Sequence, residues 1–255
     1  MRRLVLLLAV LLVAVPATAG AANPVIAAAQ KSATAKSTKL QLHSRTSVPG
    51  ASPVVLTGSG STSGQRVTLH ASTTFVGQRV PMDAIGLNEG GHYVMYLRSP
   101  VLQGQLPQGK SWLRIDLQTA GGSVGLDLGS LVGQAETLAP LAHGLVSSKR
   151  LGTERVAGKA TTRYRAVVDL RKAARAIPAY AEQLAKLERT AGIRLGRVTQ
   201  DVWVGRDGRI ARVRATTPTA ANGARGTSVQ TLTFLAYDVP VSITAPAAGT
   251  VFNAS

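Results

Sequence analysis

The chain has 255 residues, with 29 Lys and Arg against 12 Asp and Glu, a formal charge of +17. Its length and 45% hydrophobic content suit a packed core in one large domain or two small ones. It has no cysteine, which excludes disulfides, iron–sulfur clusters, thiol catalysis, cysteine-bound zinc and lipidation of an N-terminal cysteine. Two Trp, five Tyr and three Phe leave few platforms on which bases or sugars could stack.

Residues 1–22 have the form of a signal peptide. Met1-Arg2-Arg3 is a positive start, residues 4–15 are apolar, Pro16 breaks any helix, and Ala17, Ala19, Gly20 and Ala22 offer small-residue cleavage sites. The apolar run is shorter than the roughly 20 residues a spanning helix needs. The expectation is export, with an uncleaved signal helix as the alternative. Residues 23–255 then form a single domain.

Asn23-Pro24 opens an Ala-rich helix to about residue 35, a capping residue followed by proline in the first turn. From residue 40 the pattern becomes β-branched and alternating. Strands are predicted over 40–48, 54–61, 66–75, 81–87, 92–97 and 112–117, with turns at Pro49-Gly50, Thr62-Ser63-Gly64 and Asn88-Glu89-Gly90-Gly91. Leucines at helical spacing then predict a helix over 128–143, kinked or split at Pro140. Strands return at 146–156 and 160–169. A helix follows over 170–191, with Ile177, Tyr180, Ala181, Leu184 and Leu187 on one face and Pro178 interrupting it. Strands at 198–204, 210–217 and 228–237 close the pattern, the first two joined by an Asp207-Gly208 hairpin, and 241–244 is a candidate short edge strand. Strands thus come in blocks of about six and five, each followed by helical material. The absence of βαβ alternation argues against a doubly wound parallel sheet. The expected class is α+β: about 11 mostly antiparallel strands with helices on one face.

The sequence carries no complete chemistry-bearing motif. His43, His70, His92 and His143 show no metal-ligand spacing, and Asp83, Glu89, Asp116, Asp127 and Asp169 are scattered. Gly60-Ser61-Thr62-Ser63-Gly64 places Thr where a nucleophile elbow needs Ser. Gly152 and Gly158-Lys159 are separated by five residues instead of four, and Ala160 replaces the Ser or Thr that a phosphate loop uses to hold magnesium. The expectation is a binding protein, not an enzyme, with no cofactor and no metal.

The positive charge attracts polyanions at long range. An exported chain without a basic run is not expected to bind nucleic acid, which leaves acidic lipid head groups or anionic wall polymers. A bias toward arginine in the coding sequence accounts equally for the composition.

Several phrases together carry a resemblance: "Gly109-Lys110-Ser111-Trp112-Leu113-Arg114-Ile115-Asp116", then "Gly158-Lys159-Ala160-Thr161-Thr162-Arg163-Tyr164-Arg165-Ala166-Val167-Val168-Asp169-Leu170". They continue with "Asp201-Val202-Trp203-Val204-Gly205-Arg206-Asp207-Gly208" and "Thr233-Phe234-Leu235-Ala236-Tyr237-Asp238-Val239-Pro240-Val241". In this order, after a signal and a helix, the chain resembles the LppX/LprG branch of the LolA-like exported carriers of actinobacteria over most of residues 24–246. The resemblance implies a half-barrel of strongly curved antiparallel sheet, with helices on the concave face around an apolar cavity. It implies transport of lipids or lipoproteins outside the cytoplasm, without chemistry. Such proteins usually carry a cysteine at the signal cleavage point, and this chain has none.

Periodicity assigns the cavity lining to Leu128, Leu131, Leu138 and Leu141 of the first leucine-rich helix and to Tyr180, Leu184 and Leu187 of the second. The ligand expected there is a lipid or an acylated molecule. A closed core accounts for the same residues, and the rival reading is then an exported basic module for wall polymer or a partner protein. An exported hydrolase of unrecognised type is third. Arg163 and Arg165 share one strand face, as do Arg212 and Arg214, because a spacing of two repeats the side-chain direction. They are either a solvated face or a basic rim for anionic head groups at a membrane surface.

Overall fold

Alternating burial along the strands sets the architecture. In β1 (Ser37–Ser47), Leu40 and Leu42 are buried while Lys39, Gln41 and His43 are exposed. The computed structural model describes residues 23–75, 77–116, 134–191, 194–221 and 224–254. The signal segment and two of the expected lining residues, Leu128 and Leu131, lie outside these.

Among the described residues twelve strands form one sheet. The first block is β1, β2 (Val54–Ser63), β3 (Arg66–Phe75), β4 (Gln78–Glu89), β5 (His92–Arg98) and β6 (Trp112–Asp116). The second is β7 (Leu145–Val156), β8 (Lys159–Asp169), β9 (Arg197–Gly205), β10 (Ile210–Ala221) and β11 (Ala224–Tyr237). Each block is an antiparallel meander, and antiparallel pairing of β1 with β11 joins them. The sheet is therefore continuous through both blocks, and the α+β class expected from the sequence is the one observed.

The twelfth strand was not expected. The segment 241–244 is not a strand, although Val241 and Ile243 alternate as one would. Pro240 and Pro246 flank it and lack the N–H a ladder needs. Ile243 is instead buried against Leu87, Val94 and Tyr96, so the tail crosses the sheet instead of extending it. Pairing resumes at β12 (Val251–Asn253), parallel to β6.

The helices follow their caps. In α1 (Pro24–Ala33) the Asn23 side chain accepts from the Val25 N–H, and Val25, Ala28, Ala29 and Ser32 form the buried face. Ser32 Oγ accepts a hydrogen bond from the Ile210 N–H at 2.9 Å, tying the helix to β10. The short α2 (Pro100–Gln103), not expected from the sequence, starts from a Ser99 cap that accepts from the Leu102 N–H. Of the stretch expected to be a leucine-rich helix, the described residues form α3 (Gln134–Gly144), with Pro140 inside it; the expected residues 128–133 lie outside those described. The last helical region divides as expected at Pro178, into α4 (Leu170–Ala176) and α5 (Pro178–Ala191). Proline removes a helical N–H, and Ile177 before it is extended, with φ −136°. Among the described residues no helix is long and apolar enough to cross a membrane.

Strong curvature needs close approach on the inner face, and β2 supplies it with glycine. A Cβ at Gly60 would lie 2.4 Å from the Thr68 carbonyl oxygen, and one at Gly58 would lie 2.9 Å from the His70 oxygen. Both glycines pair with Leu40 and Leu42 of β1, so both lie on the apolar face. That is the concave side.

Candidate ligand-binding faces

The inner face is apolar from end to end. Over β1 and β8–β11 it carries Leu40, Leu42, Ala166, Val168, Val202, Leu232 and Phe234, packed with Val25 and Ala28 of α1, Leu138 and Leu141 of α3 and Leu184 of α5. Over β3–β6 it continues through Leu69, Met82, Ala84, Met95, Leu97 and Ile115. Here the only described helical residue packed on it is Leu102 of α2.

The expected lining residues fall as follows. Leu138 and Leu141 are 0% and 1% exposed, and Leu184 is 6% exposed, all within the larger apolar cluster. Tyr180 packs against the same cluster, and burial pushes its phenol up to about 12. The side chain of Leu187 lies outside the described residues, as do Leu128 and Leu131. Four of the seven therefore meet in one place.

The outer face is polar and basic over the second strand block. Register places Gln41, Thr233, Arg212, Trp203 and Arg163 in one row across β1, β11, β10, β9 and β8. The next row holds His43, Thr231, Arg214, Asp201 and Arg165 on the same strands. The four arginines expected to share faces are thus neighbours on one side of the sheet. They differ in what holds them. Arg163 bonds Glu154 at 2.8 Å and Asp201 at 2.5 Å, and Arg165 bonds Asp201 at 3.0 Å. Among the described residues neither Arg212 nor Arg214 has a carboxylate within salt-bridge distance.

Trp203 is the pivot of this face. It is 4% exposed, with the guanidinium of Arg163 over its ring at 5.0 Å and that of Arg212 at 5.6 Å. Its Nε1–H donates to Glu154 at 2.9 Å. That bond, with the one from Arg163, holds the Glu154 carboxyl below the usual range. Burial works to raise the Asp201 carboxyl, but hydrogen bonds from Arg165 and Arg163 outweigh it and the group is lowered.

Strand pairing also creates His–carboxylate contacts that linear spacing hid. His70 Nδ1 lies 2.7 Å from Asp83, and His92 Nδ1 lies 2.9 Å from Asp116. Ser59 faces His70 across β2 and β3, which puts Ser, His and Asp in one row. Among the described residues no hydrogen bond joins Ser59 to His70. Asp83 is also taken up by Arg98 at 2.6 Å, so the row is an ion-pair cluster.

A hollow of about 450 Å³ lies on the basic face, lined by His43, Arg45, Glu154, Arg163, Trp203, Arg212, Arg214, Val229 and Thr231. Arg45 and His43 were not among the expected site residues. Their spacing of two on a predicted strand was the available signal.

No family model matches the chain, and no curated protein matches it. Among solved structures, LprF from Mycobacterium bovis is similar at 11% identity, covering 88% of this chain and 96% of its own, with a TM-score of 0.48. The lipoprotein LppX from Mycobacterium tuberculosis is similar at 13% identity, covering 87% of this chain and 100% of its own, with a TM-score of 0.46. A LolA superfamily protein from Nitrosomonas europaea is similar at 10% identity, covering 86% and 93%, with a TM-score of 0.31. The solved structures to which the chain is similar thus include the LppX and LolA types that its sequence phrases resemble.

Proposed function

We propose that the chain is an exported, non-enzymatic carrier that holds acyl chains of a lipid or lipoprotein between the concave face of the sheet and its helices. The observation that carries this reading is the apolar inner face, which extends beyond the strands under α1, α3 and α5 onto β3–β6. Hydrocarbon placed there leaves water at about 0.8 kcal/mol per CH₂. The form of residues 1–22 supports export, with cleavage near Gly20 or Asn23. Leu138, Leu141, Tyr180 and Leu184 are the lining residues on this reading.

Mass spectrometry of an organic extract of the purified exported protein tests the reading, together with uptake of a fluorescent acyl lipid by delipidated protein. A co-purifying acyl lipid and saturable uptake are expected, with uptake blocked by Leu184→Trp at little cost in melting temperature. In a closed core that substitution overpacks, costing about 1–3 kcal/mol. An empty extract, a parent that takes up no lipid and an early-melting variant would overturn the carrier and leave a closed-core module.

A further inference from the structure

The hollow on the outer face is a trough built by strand register. Its floor is β11, whose outward residues Val229, Thr231 and Thr233 are short. Its walls are the long basic side chains of the two neighbouring strands: His43 and Arg45 on β1, Arg212 and Arg214 on β10. Two strand spacings separate the walls, about 10 Å. A second hollow of about 490 Å³ shares His43, Arg212 and Thr231 and continues the trough to Thr57 on β2.

The charges in the trough do not cancel. Four arginines line the first hollow against one carboxylate, Glu154. That carboxylate is committed to Arg163 and to the Trp203 indole, and Asp201 is committed to Arg163 and Arg165. Among the described residues no salt bridge involves Arg45, Arg212 or Arg214. Arg45 and Arg214 are exposed, whereas Arg212 is half-buried and aimed by its own contacts. Its Nε donates to Thr233 Oγ1 at 3.1 Å and its guanidinium lies over Trp203, which leaves its terminal nitrogens free to donate. Solvated surface arginines far apart repel little. Arg45, Arg212 and Arg214 line one trough with no salt bridge among the described residues. The carboxylate that acts on Arg212 electrostatically, Glu154, is hydrogen-bonded to Arg163 and Trp203, so the trough is a positive focus that an anion relieves.

From this geometry we infer a second ligand site, separate from the inner face: an oxyanion site in the β1–β11–β10 trough that takes a phosphate group. Arg45, Arg212 and Arg214 are its ligands, and Thr231 supplies a hydroxyl from the floor. The planar guanidinium fork suits tetrahedral phosphate, which it can meet with two parallel N–H donors. Trp203 and Arg163 form the rigid end wall, with Arg163 held by two carboxylates and having no role toward the ligand. The phosphate has two possible sources, a free ion or the head group of an anionic lipid.

Two binding arms distinguish the sources. One is equilibrium dialysis of the full chain with radiolabelled inorganic phosphate. The other is co-sedimentation with vesicles of phosphatidic acid in phosphatidylcholine, against phosphatidylcholine alone. Arg45→Ala with Arg214→Ala should weaken binding at least about tenfold, the expected loss when charge-assisted hydrogen bonds are removed. Arg175→Ala with Arg206→Ala removes the same charge from exposed positions away from the trough, and should weaken binding less than about threefold by screened attraction alone. Binding in both arms identifies the phosphate group as sufficient, and binding to vesicles alone identifies the lipid head group. Either result, lost in the trough variant, supports the site. Absence of binding by the parent in both arms, or an equal loss in the two charge-matched variants, overturns it. Among the described residues neither Arg45 nor Arg214 makes an ion pair, so a melting curve matching the parent's is expected and separates lost binding from lost fold.

Discussion

Gly60→Ala tests whether the concavity of the sheet depends on close approach at β2. The added methyl carbon would sit 2.4 Å from the Thr68 carbonyl oxygen of β3 and 3.4 Å from its carbonyl carbon. Even a close carbon–oxygen contact is about 3.3 Å, so the strands must part by about 1 Å. The obstructing atom belongs to the backbone and cannot rotate away. Relief requires β2 to flatten or its ladder with β3 to stretch, at a cost of about 1–3 kcal/mol. Removing glycine also restricts the unfolded chain, which returns about 0.4–1 kcal/mol. A net loss of about 1–2 kcal/mol lowers Tm by roughly 2–8 °C at this chain length. Gly196→Ala is the control, because a Cβ there meets nothing within 4 Å and its φ is not positive. It should leave Tm unchanged or raise it. Thermal unfolding followed by circular dichroism measures both. If Gly60→Ala melts at or above the control, the close approach is not what bends the sheet.

Leu141→Ala should destabilise by about 2–5 kcal/mol, because the side chain is 1% exposed in the larger apolar cluster. Val146→Ala, at a position 48% exposed, should stay within about 0.5 kcal/mol in the same urea titration. Alkali should also reveal Tyr180. Its folded pKa of about 12 is raised above the ordinary 10, so its contribution is fully present below pH 10 and is lost as pH rises toward 12. Urea midpoints measured from pH 9 to 12 should therefore fall less steeply for Tyr180→Phe than for the parent, and parallel curves would show that the phenol is not buried on folding.

Most strands could be located from local pattern because one face of each is buried, which imposes a period of two. The third strand was predicted over 66–75 and is observed as Arg66–Phe75. The division at Pro178 was legible for an equally local reason, the missing N–H. What failed was non-local. Val241 and Ile243 alternate like strand residues, yet burying Ile243 against Leu87, Val94 and Tyr96 fixes the tail across the sheet, and prolines on both sides forbid a ladder. Nothing in the period of either block announces that β1 pairs with β11, which is what makes two meanders one sheet.

The candidate sites show the same division between what one strand can reveal and what pairing adds. Arg212 and Arg214 share a face whatever their neighbours, so their common side was readable from spacing alone. That Arg212 faces Trp203, and Trp203 faces Arg163, depends on two registers joining strands whose order in the chain does not reveal their side-by-side alignment. A slip of one residue in either would send Trp203 to the apolar side and leave Glu154 without its indole donor. Carboxylate use is decided at this level too. Asp201 lies directly opposite Arg165 and Arg214 but bonds Arg165 and Arg163, so its charge is spent toward β8, not β10. The same register that satisfies the β8 arginines therefore leaves Arg212 and Arg214 of β10 and Arg45 of β1 without a salt bridge among the described residues. The outer trough owes its positive charge less to the number of arginines in the chain than to the side of Trp203 on which the two acids fall.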